Sequence, residues 1–293
     1  MPTASVSTLA ALARPSGVLA MLAIDQRESL RRMLAAASGG RPVADAEVAA
    51  FKLAALQALT PHASAVLLDQ QFVWRQALAQ RAIAPGCGLI AAADLFIASA
   101  EEAVADSRID ESVSPEAVRA DGAVAMKLLV LWRPDEPAEP RIAMVRDFLA
   151  RCRSARLLSI IEPVVRAPRD GGPWDRERAI LAAAAELGGL GADLYKAEVP
   201  LHGAGGEAEV RAACAEMTRR IRGPWVVLSS GVDPDLFPRA VEWACREGAS
   251  GFLAGRAVWR GVIGRTDIVA ALHEDAVPRL RRLCEVVDRV AAS

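Results

Sequence analysis

The sequence has 293 residues, of which 53% are hydrophobic and 24% are charged, and its formal net charge is −1. This composition predicts a globular protein with a sizeable core, and the length suits one large domain or two ordinary ones. The nearly balanced charge argues against a protein that binds nucleic acid or an anionic membrane surface.

The cysteines and histidines are few and scattered. No two of the five cysteines stand at the spacing of metal ligands, which is typical of a reduced cytoplasmic protein. The three histidines are equally dispersed, so the sequence predicts no zinc site.

The first elements along the chain are a short helix and a first strand. Leu9–Leu12 and Val18–Ile24 are both apolar. Arg14 and Pro15 separate these two runs, and Asp25 ends the second one. Neither run is long enough to span a bilayer, and the interruption argues against a signal peptide. We therefore expect a cytoplasmic protein without a membrane segment.

Short apolar runs of strand length recur eight times along the chain. They are continuous rather than alternating, as in parallel strands that are covered on both faces, and stretches of helical periodicity separate them. Strand and helix repeated eight times over roughly 250 residues predict an α/β fold, a (β/α)8 TIM barrel that forms a single domain over residues 1–293. The runs are Val18–Ile24, Ala65–Leu68, Gly88–Ala93, Ala125–Leu131, Leu157–Ile161, Ala192–Tyr195, Trp225–Leu228 and Gly251–Ala254.

A doubly wound open sheet is the competing fold. It would require a glycine-rich phosphate loop after the first strand, but that strand is followed by Asp25, Gln26, Arg27 and Glu28. The segment Asp94–Ser114 is acidic and follows the third run. We expect it to be a surface-exposed insertion and a candidate lid.

Polar residues interrupt the apolar runs close to their carboxyl ends, where barrels of this type carry their chemistry. Asp69, after the second run, is a weaker candidate because it could simply cap the following loop. For any one lysine–carboxylate pair, an ion pair that only holds the strands in register is an equally good interpretation. Convergence of several strands on one end of the barrel favours a functional site. The residues, in chain order, are Asp25, Asp69, Lys127, Glu162, Lys196, Ser229, Ser230, Gly231, Gly255 and Arg256.

Lys196 ends the sixth run in a chain that has only three lysines. A buried lysine can lose its proton and attack a ketone, which a guanidinium cannot do, so the residue type indicates Schiff-base chemistry. We expect Lys127 to be a like charge that lowers the pKa of Lys196. Glu162 is placed to shuttle protons, and Asp25 to accept the proton of a substrate hydroxyl. Glu198, on the same strand face as Lys196, is a weaker candidate partner.

The residues after the last two runs predict an anion site. Loops at these positions of a barrel often bind phosphate through backbone N–H groups. Ser229, Ser230 and Gly231 follow the seventh run, and Gly255 and Arg256 follow the eighth. The alternative is a tight turn with a surface arginine. With Lys196, these residues suggest an aldolase for a sugar phosphate.

Motifs at six strand ends resemble the class I tagatose-bisphosphate aldolase family, and within it the branch of sulfofructosephosphate aldolases. The resemblance runs nearly from end to end. It is carried by Leu22–Arg27, Ala63–Phe72, Met126–Arg133, Leu158–Arg166, Leu194–Pro200, Leu228–Val232 and Ala254–Trp259.

The resemblance implies a (β/α)8 barrel in which Lys196 forms the Schiff base and which needs no metal or other cofactor. It implies cleavage of 6-deoxy-6-sulfofructose 1-phosphate to dihydroxyacetone phosphate and 3-sulfolactaldehyde. The serines and glycines of the last two loops and Arg256 match the anion-binding loops of the family. Gln26 and Asp69 are further candidate substrate contacts. Candidates for binding the far end of the substrate are Gln26, Arg27, Gln70, Gln71, Arg133 and Arg166.

Two alternatives remain beside this hypothesis. The first is the same chemistry on tagatose 1,6-bisphosphate or a related ketose phosphate. The second is a barrel without catalytic activity that senses a sugar phosphate. We also expect a homo-oligomer, because helices rich in alanine and leucine surround the predicted barrel.

Overall fold

The computed structural model describes residues 7–99, 102 and 104–293. Eight parallel strands close into a barrel in the order β1-β10-β9-β8-β7-β6-β3-β2, with helices between successive strands. The predicted (β/α)8 TIM barrel is therefore confirmed. Its strands are β1 (Leu19–Ile24), β2 (Ala65–Leu68), β3 (Gly88–Ala92), β6 (Ala123–Trp132), β7 (Leu158–Val165), β8 (Leu194–Glu198), β9 (Trp225–Leu228) and β10 (Gly251–Ala254).

Helices pack around the barrel and bury their apolar sides against its strands. A π-helical turn, Leu272–Ala276, joins the last two helices. The helices are α1 (Glu28–Ala37), α2 (Asp45–Leu59), α3 (Trp74–Ala79), α4 (Pro115–Ala120), α5 (Ala138–Ser154), α6 (Arg176–Leu187), α7 (Glu207–Arg220), α8 (Phe237–Arg246), α9 (Arg256–Trp259), α10 (Ile268–Ala271) and α11 (Val277–Ala291). Short 3-10 helices span Leu9–Leu12, Thr60–His62, Pro200–Gly203 and Arg260–Val262.

The first 3-10 helix lies against the amino-terminal end of the barrel. Leu12 is fully buried and belongs to the cluster of apolar side chains inside the barrel, with Met21 and Leu67 among them. A methyl group added at Gly88 would meet the carbonyl oxygen of Ala11 at 2.5 Å. This close approach explains why glycine begins the third barrel strand.

Three barrel strands, β6, β7 and β8, are longer than predicted. β7 continues through Glu162 to Val165 and pairs with β6 over its whole length. Its pairing with β8 stops at Ile161, so Pro163 falls where β7 is paired on one side only. Proline has no backbone N–H to donate to a second neighbouring strand, and at this position β7 pairs with β6 alone. Glu162 consequently stands within a strand rather than at its end.

The segment after β3 forms an antiparallel hairpin of β4 (Asp94–Ile97) and β5 (Asp106–Ile109). The prediction that this segment is surface-exposed is wrong at its base, because Asp94 and Ser107 are buried. The hydroxyl of Ser107 donates to the carbonyl oxygen of Leu129 at 2.9 Å, which ties the hairpin to β6. Within the predicted segment, positions 100, 101 and 103 lie outside the described residues. A role for the segment as a lid stays a prediction.

Over residues 7–99, 102 and 104–293, no helix has the length and apolar character needed to cross a membrane.

Candidate active site

A pocket of about 320 Å³ opens at the carboxyl end of the barrel strands. Because parallel strands of a barrel end on the same face, side chains that are far apart in the sequence meet there. Most of the predicted site residues line this pocket, namely Asp25, Gln26, Glu162, Lys196, Ser229, Ser230, Gly255 and Arg256. Lys127, Asp69 and Gly231 do not line it.

Lys196 projects from β8 into this pocket and is 3% exposed. Its Nζ lies 2.9 Å from Oε1 of Glu162 on the neighbouring strand β7. Glu198 does not contribute to this pair. Its carboxylate instead accepts from the backbone N–H of Val165 at 2.8 Å and pairs with Arg176 at 3.1 Å, so it joins β8 to β7 and α6. In the part of the chain that the structure describes, Lys196 therefore has one carboxylate partner, and that partner also faces the pocket.

Lys127, on β6, lies beneath the pocket and is fully buried. Three carboxylates surround its Nζ: Asp25 at 2.7 Å, Asp94 at 2.7 Å and Glu162 at 3.2 Å. Burial alone would disfavour the ammonium, but the three negative charges outweigh that effect and raise the pKa of Lys127 well above its usual range. The sequence analysis treated Lys127 as a bare like charge beside Lys196. The structure instead compensates its charge with carboxylates.

Asp25, at the end of β1, contacts Lys127 and also lines the pocket. Burial would raise its pKa, but Lys127 and Lys196 together hold the pKa of Asp25 well below its usual range. The side chain of Gln26 donates to Oδ1 of Asp25 at 3.3 Å. Asp25 is thus held as a carboxylate, which suits it to accept hydrogen bonds rather than to store a proton.

Asp94 is a member of this charge cluster that the sequence analysis did not single out. It stands directly after the third apolar run of the sequence, as Asp25 and Asp69 stand after the first and second, and this position was the available signal. Its Oδ2 accepts from Lys127 and, at 3.0 Å, from the backbone N–H of Leu129. Its Oδ1 accepts from Arg27 at 2.9 Å. Asp94 therefore links the base of the hairpin to the ammonium under the pocket.

The loops after β9 and β10 form the other side of the pocket. Arg256 donates to the hydroxyl of Ser230 at 2.8 Å, and the backbone N–H of Ala257 faces the hydroxyl of Ser229 at 3.4 Å. Burial lowers the pKa of Arg256 from its usual very high value, although Glu162 opposes the shift. A positive side chain, hydroxyl groups and the start of α9 thus converge at one point, as an anion site requires.

The two glycines of these loops have different surroundings. A methyl group on Gly255 would meet the carbonyl oxygen of Ala23 at 2.5 Å and the side-chain amide of Gln26 at 3.0 Å. Gly231 has a φ of +75°, and a methyl group there would meet the imidazole of His202 at 2.9 Å. Gly255 shapes the pocket directly, whereas Gly231 shapes the loop that carries the serines.

Asp69 is outside the pocket, contrary to its predicted place among the substrate contacts. It is fully buried and forms an ion pair with Lys52 of α2, which is buried as well. Its other oxygen accepts from the backbone N–H of Phe72 at 2.8 Å. This matches the alternative interpretation, in which Asp69 caps the loop after its strand.

Of the residues considered for the far end of the substrate, Gln26 and Arg166 line the pocket. Arg27 and Arg133 do not, because they hold the hairpin through Asp94 and Glu102. Gln70 and Gln71 are also absent from the lining. Sequence reasoning missed the pocket residues of the hairpin, Phe96, Glu102 and Val104, because nothing local shows that this segment folds back over the barrel.

Within the described part of the chain, no three histidine, cysteine, aspartate or glutamate side chains are grouped so that they could hold a metal ion. The acidic cluster at the pocket floor surrounds Lys127 instead. The arrangement offers an amine, a carboxylate in contact with it, and an anion site on one side.

A family model, described as DeoC/LacD family aldolase, matches residues 19–261. The chain belongs to the DeoC/LacD aldolase family. Members of this family are lyases of the Schiff-base class, so the protein is a lyase. A tagatose 1,6-diphosphate aldolase of Listeria monocytogenes is 30% identical over 275 residues, which cover 85% of this chain and 79% of the relative. Tagatose 1,6-diphosphate aldolase 1 of Streptococcus pyogenes is 27% identical over 274 residues, covering 84% and 82%.

Solved structures of other aldolases share the fold of this aldolase. Fructose-bisphosphate aldolase from Plasmodium falciparum superposes with a TM-score of 0.70 at 15% identity, covering 95% of this chain and 92% of that one. An archaeal fructose-1,6-bisphosphate aldolase, with its catalytic lysine bound to a carbinolamine intermediate, superposes with a TM-score of 0.63 at 14% identity, covering 96% and 98%.

Proposed function

We propose that this aldolase cleaves 6-deoxy-6-sulfofructose 1-phosphate to dihydroxyacetone phosphate and 3-sulfolactaldehyde through a Schiff base on Lys196. The observation that supports the chemistry is the contact of 2.9 Å between Nζ of Lys196 and Glu162 in a pocket that also has an anion site. A buried amine needs a nearby group that removes its proton before it can attack a ketone, and Glu162 is that group.

In this mechanism the phosphate binds at Arg256 and the serine loop, which places the ketone carbon at Lys196. The amine adds to the carbonyl, and Glu162 carries protons while the carbinolamine loses water. The bond between C3 and C4 then breaks, its electron pair moves into the iminium, and the C4 hydroxyl loses its proton to become the aldehyde. Reprotonation of C3 and hydrolysis release dihydroxyacetone phosphate and restore the amine.

Asp25 has a different part in this proposal from the one that the sequence predicted. A group whose pKa is held far below neutrality is a weak base, so it accepts protons poorly at neutral pH. We assign to Asp25 a hydrogen bond from a substrate hydroxyl. Glu162, which contacts both Lys196 and Lys127, then moves the protons.

The charges of the pocket support a sulfonate at the far end of the substrate. Arg256 takes part in the anion site, which leaves Arg166 as the other arginine among the described residues of the lining, and Glu102 lies in the same lining. A sulfonate carries one negative charge, whereas a second phosphate carries nearly two at neutral pH. Arg166, in a lining that also holds the carboxylate of Glu102 paired with Arg133, suits the smaller charge.

Tagatose 1,6-bisphosphate is the second candidate substrate. It is favoured by the 30% identity to the Listeria relative over 85% of this chain. The chemistry on Lys196 is the same for both substrates, and the difference lies in the group at C6.

The decisive experiment compares cleavage of the sulfonated ketose phosphate with cleavage of tagatose and fructose 1,6-bisphosphates. Borohydride is then added with dihydroxyacetone phosphate to trap the imine. We expect a preference for the sulfonated substrate and a permanent adduct on Lys196. The variant Lys196→Arg should lose turnover by at least a thousandfold and form no adduct, because a guanidinium cannot form the imine.

Three other results would each refute part of the proposal. A clear preference for a bisphosphate would exclude the sulfonated substrate but retain the aldolase. Near-normal turnover of Lys196→Arg would exclude the Schiff base. Binding of dihydroxyacetone phosphate without an adduct would favour a sensor without catalytic activity.

A further inference from the structure

The order of the barrel strands sets the direction in which a bound ketose lies. The serine loop of the anion site follows β9. Around the closed barrel, β9 and β3 are separated by equal numbers of strands in both directions. β3 therefore lies across the barrel from the anion site, and the β4–β5 hairpin follows it directly. A ketose 1-phosphate that is held at Arg256 and bonded to Lys196 extends towards this hairpin.

Among its described residues, the hairpin contributes three side chains to the pocket, Phe96, Glu102 and Val104. Two of them are apolar and one is acidic. The ring of Phe96 also lies beside the ammonium of Lys127, whose Nζ is 5.7 Å from the ring centroid. Because Phe96, Glu102 and Val104 lie across the pocket from the anion site, we expect them to contact the part of the substrate beyond the bond that breaks.

A buried clamp fixes the base of this hairpin. Arg27 donates to the carboxylate of Asp94 at 2.9 Å and to its backbone carbonyl at 2.6 Å. The guanidinium of Arg27 lies 4.4 Å from the ring centroid of Phe96. Because Asp94 also contacts Lys127, the strand β4 that carries Phe96 is linked to the charge cluster at the floor of the pocket.

A second ion pair holds Glu102. Its carboxylate lies 2.5 Å from Nη2 of Arg133, whose side chain is 4% exposed and which also donates to the carbonyl oxygen of Ala167. Glu102 therefore presents negative charge at the pocket while it neutralises a nearly buried guanidinium. A dianionic group placed here meets more repulsion than a monoanionic one.

We infer that the β4–β5 hairpin is the wall that selects the group at the far end of the ketose, with Glu102 discriminating by charge and Phe96 by contact. This inference rests on the proposed aldolase function and deepens it. It assigns Glu102 and Phe96 to selection of the substrate, whereas Asp94 at the base of the hairpin belongs to the charge cluster around Lys127.

The test compares Glu102→Gln with Glu111→Gln, a matched control that removes the same charge from an exposed glutamate paired with Arg151. The quantity measured is the ratio of kcat/KM for tagatose 1,6-bisphosphate to kcat/KM for the sulfonated ketose phosphate. We expect Glu102→Gln to raise this ratio about fivefold, which is the scale of a partly exposed charge interaction. Glu111→Gln should leave the ratio unchanged. An unchanged ratio in a folded Glu102→Gln protein would overturn the inference.

Phe96→Ala provides a second, independent measurement. We expect KM for the full ketose phosphate to rise about tenfold, since an aromatic contact of roughly 1.4 kcal/mol is lost. Borohydride trapping with dihydroxyacetone phosphate, which lacks the far end, should be unchanged. Equal losses in both assays would overturn the inference.

The wild-type protein separates the two proposals. If it fails to trap dihydroxyacetone phosphate on Lys196, the proposed function falls. If the wild-type protein traps dihydroxyacetone phosphate normally while both hairpin variants retain wild-type specificity and KM, only the proposed role of the hairpin is refuted.

Discussion

At the scale of single residues, the buried charges of this protein occur in compensated sets. Lys127 has three carboxylate neighbours, and Lys52 is paired with Asp69. Burial lowers the pKa of Lys52, and Asp69 opposes that shift. An isolated charge in such a place would cost several kcal/mol, so each buried lysine requires a partner of opposite sign. The two clusters nevertheless differ in role. Carboxylates of the cluster around Lys127 line the pocket, whereas Lys52 and Asp69 do not.

The variant Asp69→Asn tests this difference. It leaves the ammonium of Lys52 buried without its counter-charge, so we expect the free energy of unfolding to fall by about 3 kcal/mol. KM of the folded enzyme should stay within twofold, because Asp69 lies outside the pocket. Urea unfolding and steady-state kinetics measure the two quantities, with Asp147→Asn on the exposed side of α5 as the control. A large rise in KM without a loss of stability would show instead that Asp69 contacts the substrate.

At the scale of elements, the turn from β10 into α9 is closely packed against β1. Gly255 fills a place where any side chain would press on the backbone of β1 and on the amide of Gln26. The indole N–H of Trp259, in α9, donates to the same carbonyl oxygen of Ala23 at 3.1 Å, so the turn and β1 are held together. Small movements here displace both the anion site and Gln26.

We predict that Gly255→Ala raises KM about tenfold and lowers the free energy of unfolding by roughly 1–3 kcal/mol, because the added methyl group forces a backbone shift. Gly261→Ala is the matched control, since a methyl group at Gly261 meets nothing within 4 Å. Kinetics with the preferred ketose phosphate and urea unfolding check both effects. The explanation is wrong if the two alanine variants behave alike.

At the scale of the whole molecule, side chains from the two ends of the barrel domain join across its amino-terminal face. Arg14 binds Asp288 of α11 through Nε at 3.1 Å and Nη2 at 2.8 Å, and Ser16 donates to Asp288 at 2.5 Å. Burial would raise the pKa of Asp288, but Arg14 and Ser16 outweigh it and lower that pKa. These contacts attach the last helix to the segment before β1. Assembly of the barrel into a homo-oligomer stays a prediction.

The stability contribution of Asp288 should depend on pH. Because its pKa is lower in the folded state, the contribution is present above the ordinary aspartate pKa and is lost as pH falls through the folded-state value. We expect Asp288→Asn to lower the free energy of unfolding by about 0.5–1 kcal/mol at neutral pH, a value that allows for solvent screening of a partly exposed pair. The difference from wild type should shrink below about pH 4, as urea unfolding at several pH values would measure. A difference that is constant from neutral to acidic pH would contradict this account.

The sequence by itself determined the barrel, because eight apolar runs of strand length that alternate with helical stretches admit few other folds. It also singled out Lys196 and Glu162, since polar residues near the carboxyl ends of neighbouring parallel strands must meet. The same rule predicted that Ser229, Ser230 and Arg256 lie together after β9 and β10, where they line the pocket as a candidate anion site. The resemblance at the strand ends pointed to an aldolase family, and the family comparison confirmed it.

Only the tertiary structure decided how the charges are shared. Lys127 and Lys52 are both buried lysines near carboxylates, and the sequence, which pointed to Lys127 for the site, does not show that carboxylates compensate its charge. Asp94 and Asp69 each follow a strand, yet one joins the charge cluster under the pocket and the other pairs with α2. Strand periodicity is local, whereas the pairing of a buried charge depends on distances between segments far apart in the chain. For that reason the barrel could be predicted, while the hairpin wall and the partners of Lys127 could not.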